Sequence, residues 1–249
     1  MMKVDLHIHT VASGHAHNTI LEYLTMAKKL EMSVIGISDH GPFCPDVTIN
    51  EAYFRALTRL PRRVDRVLIL RGIEANIIDA EGNLDISDKV IERLDYVMAG
   101  LHEIKNVKNR GVKKNTAAIV NAIRSGRIDI VTHPFFTKEF SLDIEKISNE
   151  ACAHNVLLEL NVSCLARRKM QKDTLLNLKK MIGIAKKWGK KMIIGSDAHN
   201  IWELGDDVPL RKIKNKIGLT NDLIINNNPK KLLDFLEIKE STSDPRAEL

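Results

Sequence analysis

The sequence predicts an α/β fold with a parallel sheet built from βα units, and two observations lead there. Short β-rich apolar runs alternate with longer segments of helical spacing, the pattern of parallel strands joined by crossover helices. Histidines and acids gather at the ends of those runs, where α/β barrels assemble their active sites. At 249 residues the chain has the length of one such unit. Residues 1–249 are therefore read as a single domain, with a polar tail from about 240.

The first expected strand, 3–8, carries His7 and His9, which at a spacing of two point to one face. His15 and His17 follow in a loop, and Ile20, Leu21, Leu24, Ala27 and Leu30 then recur at helical spacing. Strand 33–37 runs into Asp39-His40, with Asp39 expected to orient His40. Strand 66–73 delivers Glu74, and residues 80–83 read as a turn excursion. Strand 95–100 leads to His102, and Asn115 is placed as N-cap of a helix over 115–123. Strand 128–132 delivers His133, whereas His154 is read as a structural residue at a helix C-terminus. Strand 156–160 ends in Glu159-Leu160-Asn161 without an obvious ligand, and Arg167-Arg168-Lys169 follows it. Strand 191–195 runs into Asp197-Ala198-His199, and a last helix over 230–236 follows Pro229. The tail after Lys239 is expected to fray.

Composition removes several classes. No stretch approaches the roughly 20 apolar residues of a membrane span. Asp5 and His7 stand where a secretory signal needs an apolar run, so a cytoplasmic location is expected. Cys44, Cys152 and Cys164 are odd in number and widely spaced, which supports neither a disulfide framework nor a cysteine zinc site. A net charge of +6 favours anionic partners, yet only 4% of residues are aromatic, few for base stacking. A small phosphorylated substrate is expected rather than nucleic acid.

His7, His9, His15, His40, Glu74, His102, His133, Asp197 and His199 make nine candidate ligands, more than the roughly four to six that one ion takes. Two or three ions are implied. Imidazole with carboxylate and no thiolate suits zinc, manganese or iron, and paired ions of this kind serve phosphoester hydrolysis by holding a bridging hydroxide. His17 is read as a further ligand, a substrate contact or a plain loop histidine, and Arg167 and Arg168 as candidates for bidentate phosphate binding or part of a surface charge run. Cys164 is read as a bystander.

At segments 4–13, 38–42, 70–77, 115–116, 133–134 and 195–197 the chain resembles the PHP (polymerase and histidinol phosphatase) superfamily, and within it the YcdX-like phosphatases. The resemblance implies a distorted (βα)7 barrel with a trinuclear site at the C-terminal ends of its strands. By it, His7, His9, Glu74 and Asp197 would bind one ion and His15, His40 and His199 a second. His102 and His133 would bind a third, with Glu74 bridging. Three divalent transition-metal ions are expected, zinc foremost, with manganese or iron(II) as alternatives. His17 departs from a usual tyrosine, Phe135 and Phe136 from a usual glycine, and Val162 interrupts an asparagine-rich strand end. The activity implied is a metal-dependent phosphatase acting on a small phosphomonoester by attack of a metal-bound hydroxide. Glu74, Asp197 and His199 are its catalytic residues, and Asp197 or a nearby histidine assists proton transfer. The alternatives are a phosphodiesterase or exonuclease on nucleotide or nucleic-acid ends, an amidohydrolase, which would lack its usual bridging lysine here, and a non-catalytic metal-binding protein.

Overall fold

The computed structural model describes residues 2–45, 47–105, 107–166 and 172–238. Its strands, among the described residues, are β1 (Val4–Asp5), β2 (Val34–Ile37), β3 (Arg63–Val64), β4 (Val67–Arg71), β5 (Glu74–Asn76), β6 (Met98–Gly100), β7 (Ile130–Val131), β8 (Leu157–Asn161) and β9 (Met192–Gly195). They form a four-stranded sheet, β1-β2-β4-β3, and a five-stranded sheet, β5-β6-β7-β8-β9. Every pairing is parallel except the β3–β4 hairpin. The alternation of short runs and helical segments therefore does produce an α/β parallel architecture, and each of the seven expected strands overlaps an observed one.

The single closed barrel is not what the strands form. The expected strand 66–73 splits: β4 pairs with β2, whereas β5 pairs with β6. The break falls at Gly72, where a Cβ would lie 2.5 and 2.6 Å from two carbons of the Tyr96 ring. That ring is fully buried and its hydroxyl donates to Leu6 O at 2.6 Å, so an aromatic wedge sits where the strand changes partners. The two sheets meet through single parallel bridges, Ile8 with Ala198 and His40 with Glu74.

The helices are α1 (Ile20–Lys29), α2 (Glu51–Ala56), α3 (Asp88–Ile91), α4 (Val112–Arg124), α5 (Ile144–Ala153), α6 (Val162–Ala166), α7 (Lys172–Trp188), α8 (Val208–Ile213) and α9 (Pro229–Phe235). Helix α1 starts at a reciprocal cap between Thr19 and Glu22. Helix α4 starts earlier than its expected cap, Asn115, which instead lies buried in the first turn. There Asn115 Oδ1 accepts from Arg110 N and its Nδ2 donates to Asn109 Oδ1 and Ser141 O. Asn115 thus ties two loops to the helix rather than capping it. The turn at 80–83 is present, with Asn83 N donating to Asp79 Oδ1 and Ile77 bridging to Leu84. His154 caps the C-terminal end of α5 beside Glu150. Arg167, Arg168 and the tail from Lys239 lie outside the described residues. Among the described residues, no helix is long and apolar enough to cross a membrane.

Strand residues divide by parity. Val34, Leu68, Leu70, Met98, Ile130, Leu157 and Ile193 join Tyr96 in one cluster that Leu232, Leu233 and Leu236 extend. Ile35, Ile37 and Ile69 pack instead on Tyr23, Leu24 and Ala27 of α1. Strands covered on both faces need continuous apolar runs, as Val34-Ile35-Gly36-Ile37 provides. Most of the buried polar residues gather near the ends of these strands, with Glu159 inside β8 an exception.

Candidate functional site

All nine candidate ligands converge where those strands run out. Their focus is Glu74, buried at the start of β5. Its Oε1 lies 3.4 Å from His7 Nε2 and 3.2 Å from the Nε2 atoms of His102 and His133. Its Oε2 lies 3.5 Å from His9 Nε2 and 2.8 Å from His40 Nδ1. Asp197 Oδ1 stands 3.5 Å from His7 Nε2, 3.3 Å from His9 Nε2 and 3.5 Å from His199 Nδ1. The His15 ring completes the group, 5.1 Å from that of His40 and 4.9 Å from that of His199. His133 and Asp197 have positive φ, 33° and 58°, a costly conformation for such residues that often marks functional positions.

A second ring of groups, which the sequence did not announce, aims these side chains. Glu159 Oε1 lies 2.6 Å from His7 Nδ1 and its Oε2 accepts from His133 N at 2.8 Å. Asn76 Oδ1 lies 2.8 Å from His102 Nδ1, and Asp85 holds Asn76 in turn through Asn76 Nδ2. Since these oxygens accept, the ring Nδ1 carries the proton and Nε2 turns its lone pair to the site. Glu159 reaches His7 only because position 195 is glycine: a Cβ there would lie 2.8 Å from His7 Cβ and closer still to Glu159 Oε1. Asp39 does not touch the His40 ring. It accepts from Thr10 N, Ser13 Oγ and Tyr53 OH, and Ser13 Oγ accepts from His40 N, so Asp39 sets the loop that carries His9 and His40. The signal for Glu159 was an acid inside an otherwise apolar strand, two residues from Asn161 on the same face.

The donor chemistry fits metal ions. His7 Nε2 and His9 Nε2 approach to 3.1 Å, and His102 Nε2 and His133 Nε2 to 3.3 Å, so lone pairs face one another unless a cation lies among them. His40 Nδ1 and Glu74 Oε2 are buried without a hydrogen-bond partner despite their proximity. Three groups, His9/His40/His199, His7/His9/Asp197 and His40/Glu74/His102, each bring their ligand atoms within 4.8 Å of one another. Burial alone would raise the Glu74 carboxyl, but the imidazoles of His7, His102 and His40 hold it well below the ordinary range. Burial likewise works against ionisation of Asp197, and His7 and His9 hold it low. Burial and the His40 charge keep His9 well below the usual imidazole value. Burial opposes the charge on His7, His40 and His133, but the carboxylates of Glu159 and Glu74 raise His7, and that of Glu74 raises His40 and His133, so cation binding there would displace protons.

A cavity of about 210 Å³ opens on this group, with His15, His40, Glu74, His102, His133, Asp197 and His199 on one side. His17 is exposed and is tied to the site through its backbone, N to His199 O at 2.8 Å; its side chain is not among the cavity's lining residues.

Known proteins match this chain in sequence or in fold. A probable phosphatase of Clostridium acetobutylicum is 34% identical over 237 residues, 95% of each chain. A probable phosphatase of Thermoanaerobacter sp. is 36% identical over 239 residues, also 95% of each. The histidinol phosphate phosphatase of Lactococcus lactis, crystallised with Zn, L-histidinol and phosphate, superposes with a TM-score of 0.60 at 15% identity, over 88% of this chain and 95% of that one. The sequence model of the PHP-associated region matches residues 177–207. That of the PHP domain matches residues 5–162, a span holding seven of the nine gathered ligands, and the chain belongs to the PHP domain family.

Proposed function

We propose that the protein is a metal-dependent phosphatase hydrolysing a small phosphomonoester at a trinuclear site. One observation carries the reading: a single buried carboxylate, Glu74, stands within 3.5 Å of nitrogens from five histidines, too many for one ion and suited to a bridge. His7, His9, Glu74 and Asp197 would hold one ion, His15, His40 and His199 a second, and His102 and His133 a third shared with Glu74. Zinc is the favoured metal, and manganese and iron(II) satisfy the same donors. Bound ions of this kind supply a nucleophile at neutral pH and offset charge on phosphoryl oxygens.

The chain's own groups do the rest. Glu159 and Asn76 hold His7 and His102 in the tautomer that presents Nε2. Asp197 is assigned to proton transfer, with His199 beside it at the partly exposed rim. Arg167 and Arg168 are assigned to the phosphate on sequence grounds, and His17 to the substrate approach. The cavity is small, about 210 Å³, which favours a small ester over a nucleic-acid end. The two inter-sheet bridges support reading the scaffold as a distorted (βα)7 barrel. One domain over 1–249 and a cytoplasmic location complete the proposal.

Metal analysis and turnover test it. Protein purified without chelator is expected to carry between two and three equivalents of transition metal and to release phosphate from simple monoesters. One equivalent or less, unchanged on adding zinc, manganese or iron, would end the multinuclear reading, and inactivity towards every monoester would end the phosphatase reading.

A further inference from the structure

The imidazoles and carboxylates that line the cavity account for a phosphoryl group, and the rest of its lining has a chemistry of its own. Its wall is formed by Leu101, Ile119, Phe136, Phe140, Leu142 and Cys164. This wall is built into the fold. Phe140 packs with Ile104, Val107 and Leu101 in a small apolar cluster, and Leu101, Phe136 and Leu142 also lean on the main core. Phe136 follows the turn at His133-Pro134, and its N donates to His133 O.

Outside the donor set, the polar side chains of the described lining are Thr132 and Glu139. Thr132 is 2% exposed, and its Oγ1 has no hydrogen-bond partner and packs against Gly100, where a Cβ would overlap it, so it offers the cavity little polar surface. Glu139 is an exposed carboxylate, which repels a second anionic group. A sugar would set several hydroxyls against carbon, and each unmet polar group placed there carries a desolvation cost. The volume, about 210 Å³, is below the roughly 300 Å³ at which drug-sized sites begin, so the space beyond the phosphoryl group suits about one ring.

From this wall we infer that the substrate is the monophosphate of an apolar, uncharged alcohol, ring-bearing or branched. The inference rests on the phosphatase reading and narrows it to a leaving-group class.

The test compares primary alkyl esters, so that leaving-group reactivity is similar: benzyl phosphate, 3-methylbutyl phosphate, glycerol 3-phosphate and O-phosphoethanolamine. For metal-replete protein, kcat/KM for the first two is expected to exceed that for the last two by on the order of 10- to 100-fold, the worth of burying one apolar side-chain-sized group. Calorimetry should show benzylphosphonate binding on the order of tenfold or more tighter than methylphosphonate. Phe136→Ser and Leu101→Ser should collapse the benzyl-to-glycerol ratio toward unity. If either variant fails to fold, the phosphonate comparison on the unsubstituted protein decides. Equal or reversed preference in a protein that hydrolyses these esters overturns the substrate class and leaves the phosphatase reading standing. Hydrolysis of none of the four overturns the substrate class, and only inactivity towards every monoester would overturn the phosphatase reading with it.

Discussion

Glu74 and Glu159 are both buried carboxylates among histidines, and their geometry assigns them different work. Glu74 faces nitrogens whose lone pairs point at it, whereas Glu159 accepts from the far side of His7 and from His133 N. Glu74→Gln keeps the shape and removes the charge, so at least one metal equivalent should be lost and activity should fall more than about 100-fold. Full metal content with full activity would exclude Glu74 as a bridge. Glu159→Gln should be milder, weakening metal retention about 10- to 100-fold in a chelator competition while circular dichroism stays unchanged; unaltered retention would make Glu159 a packing residue only. The gathering of the candidate ligands was legible because His7/His9 and Asp197/His199 repeat the i, i+2 spacing at strand ends. Glu159 was less so, since one acid in Leu157-Leu158-Glu159-Leu160-Asn161 reads as an interruption. Asp85 was not legible at all: its hold on Asn76 is made by a turn excursion, and nothing local in the sequence marks that closure.

At the scale of elements, the third expected strand shows what local pattern leaves out. Residues 66–73 have the composition of one continuous strand, and the chain nevertheless changes sheets at Gly72. The cause lies in Tyr96, distant in sequence, whose buried ring occupies the space beside Gly72 and whose hydroxyl is anchored on Leu6 O. Gly72→Ala should force that ring aside and destabilise the fold by about 1–3 kcal/mol, the usual cost of overpacking, as read from the denaturant midpoint. An unchanged midpoint would mean that the ring does not hold the break. Helix α4 makes the same point in milder form. Asn115 has the chemistry of a cap, yet its amide is drawn to Asn109 and Ser141 O from two loops, and the helix extends past it to Val112.

For the whole molecule, the parallel α/β arrangement followed from alternation and length, but the joining of two sheets by single bridges depends on where strands meet in space. One long-range tie sets a measurable property of the entire fold. Asp129, just before β7, accepts from Val97 N at 2.8 Å, while its own N donates to Val97 O and its O accepts from Leu157 N, so it fastens the strand entries of β6, β7 and β8. Burial pushes its carboxyl up to about 6, the Val97 bond opposes this, and Glu237 beyond α9 adds to it. With the folded pKa above the unfolded value, the native chain binds more protons between about pH 4 and pH 6, so this group's contribution to stability declines as pH rises through that window. Above it the ionised carboxylate remains a cost. A two-unit shift corresponds to about 3 kcal/mol, and partial exposure reduces the expected effect to roughly 1–2 kcal/mol. Asp129→Asn retains an acceptor for Val97 N and removes the charge. Its stability curve should therefore lack this decline and lie above that of the unsubstituted protein at pH 7, by about 1 kcal/mol or more. Urea titrations at intervals from pH 4 to pH 7.5, on both proteins with equal metal content, would measure the difference. Two curves that run parallel across the window would show that Asp129 ionises in the folded protein as it does in the unfolded chain.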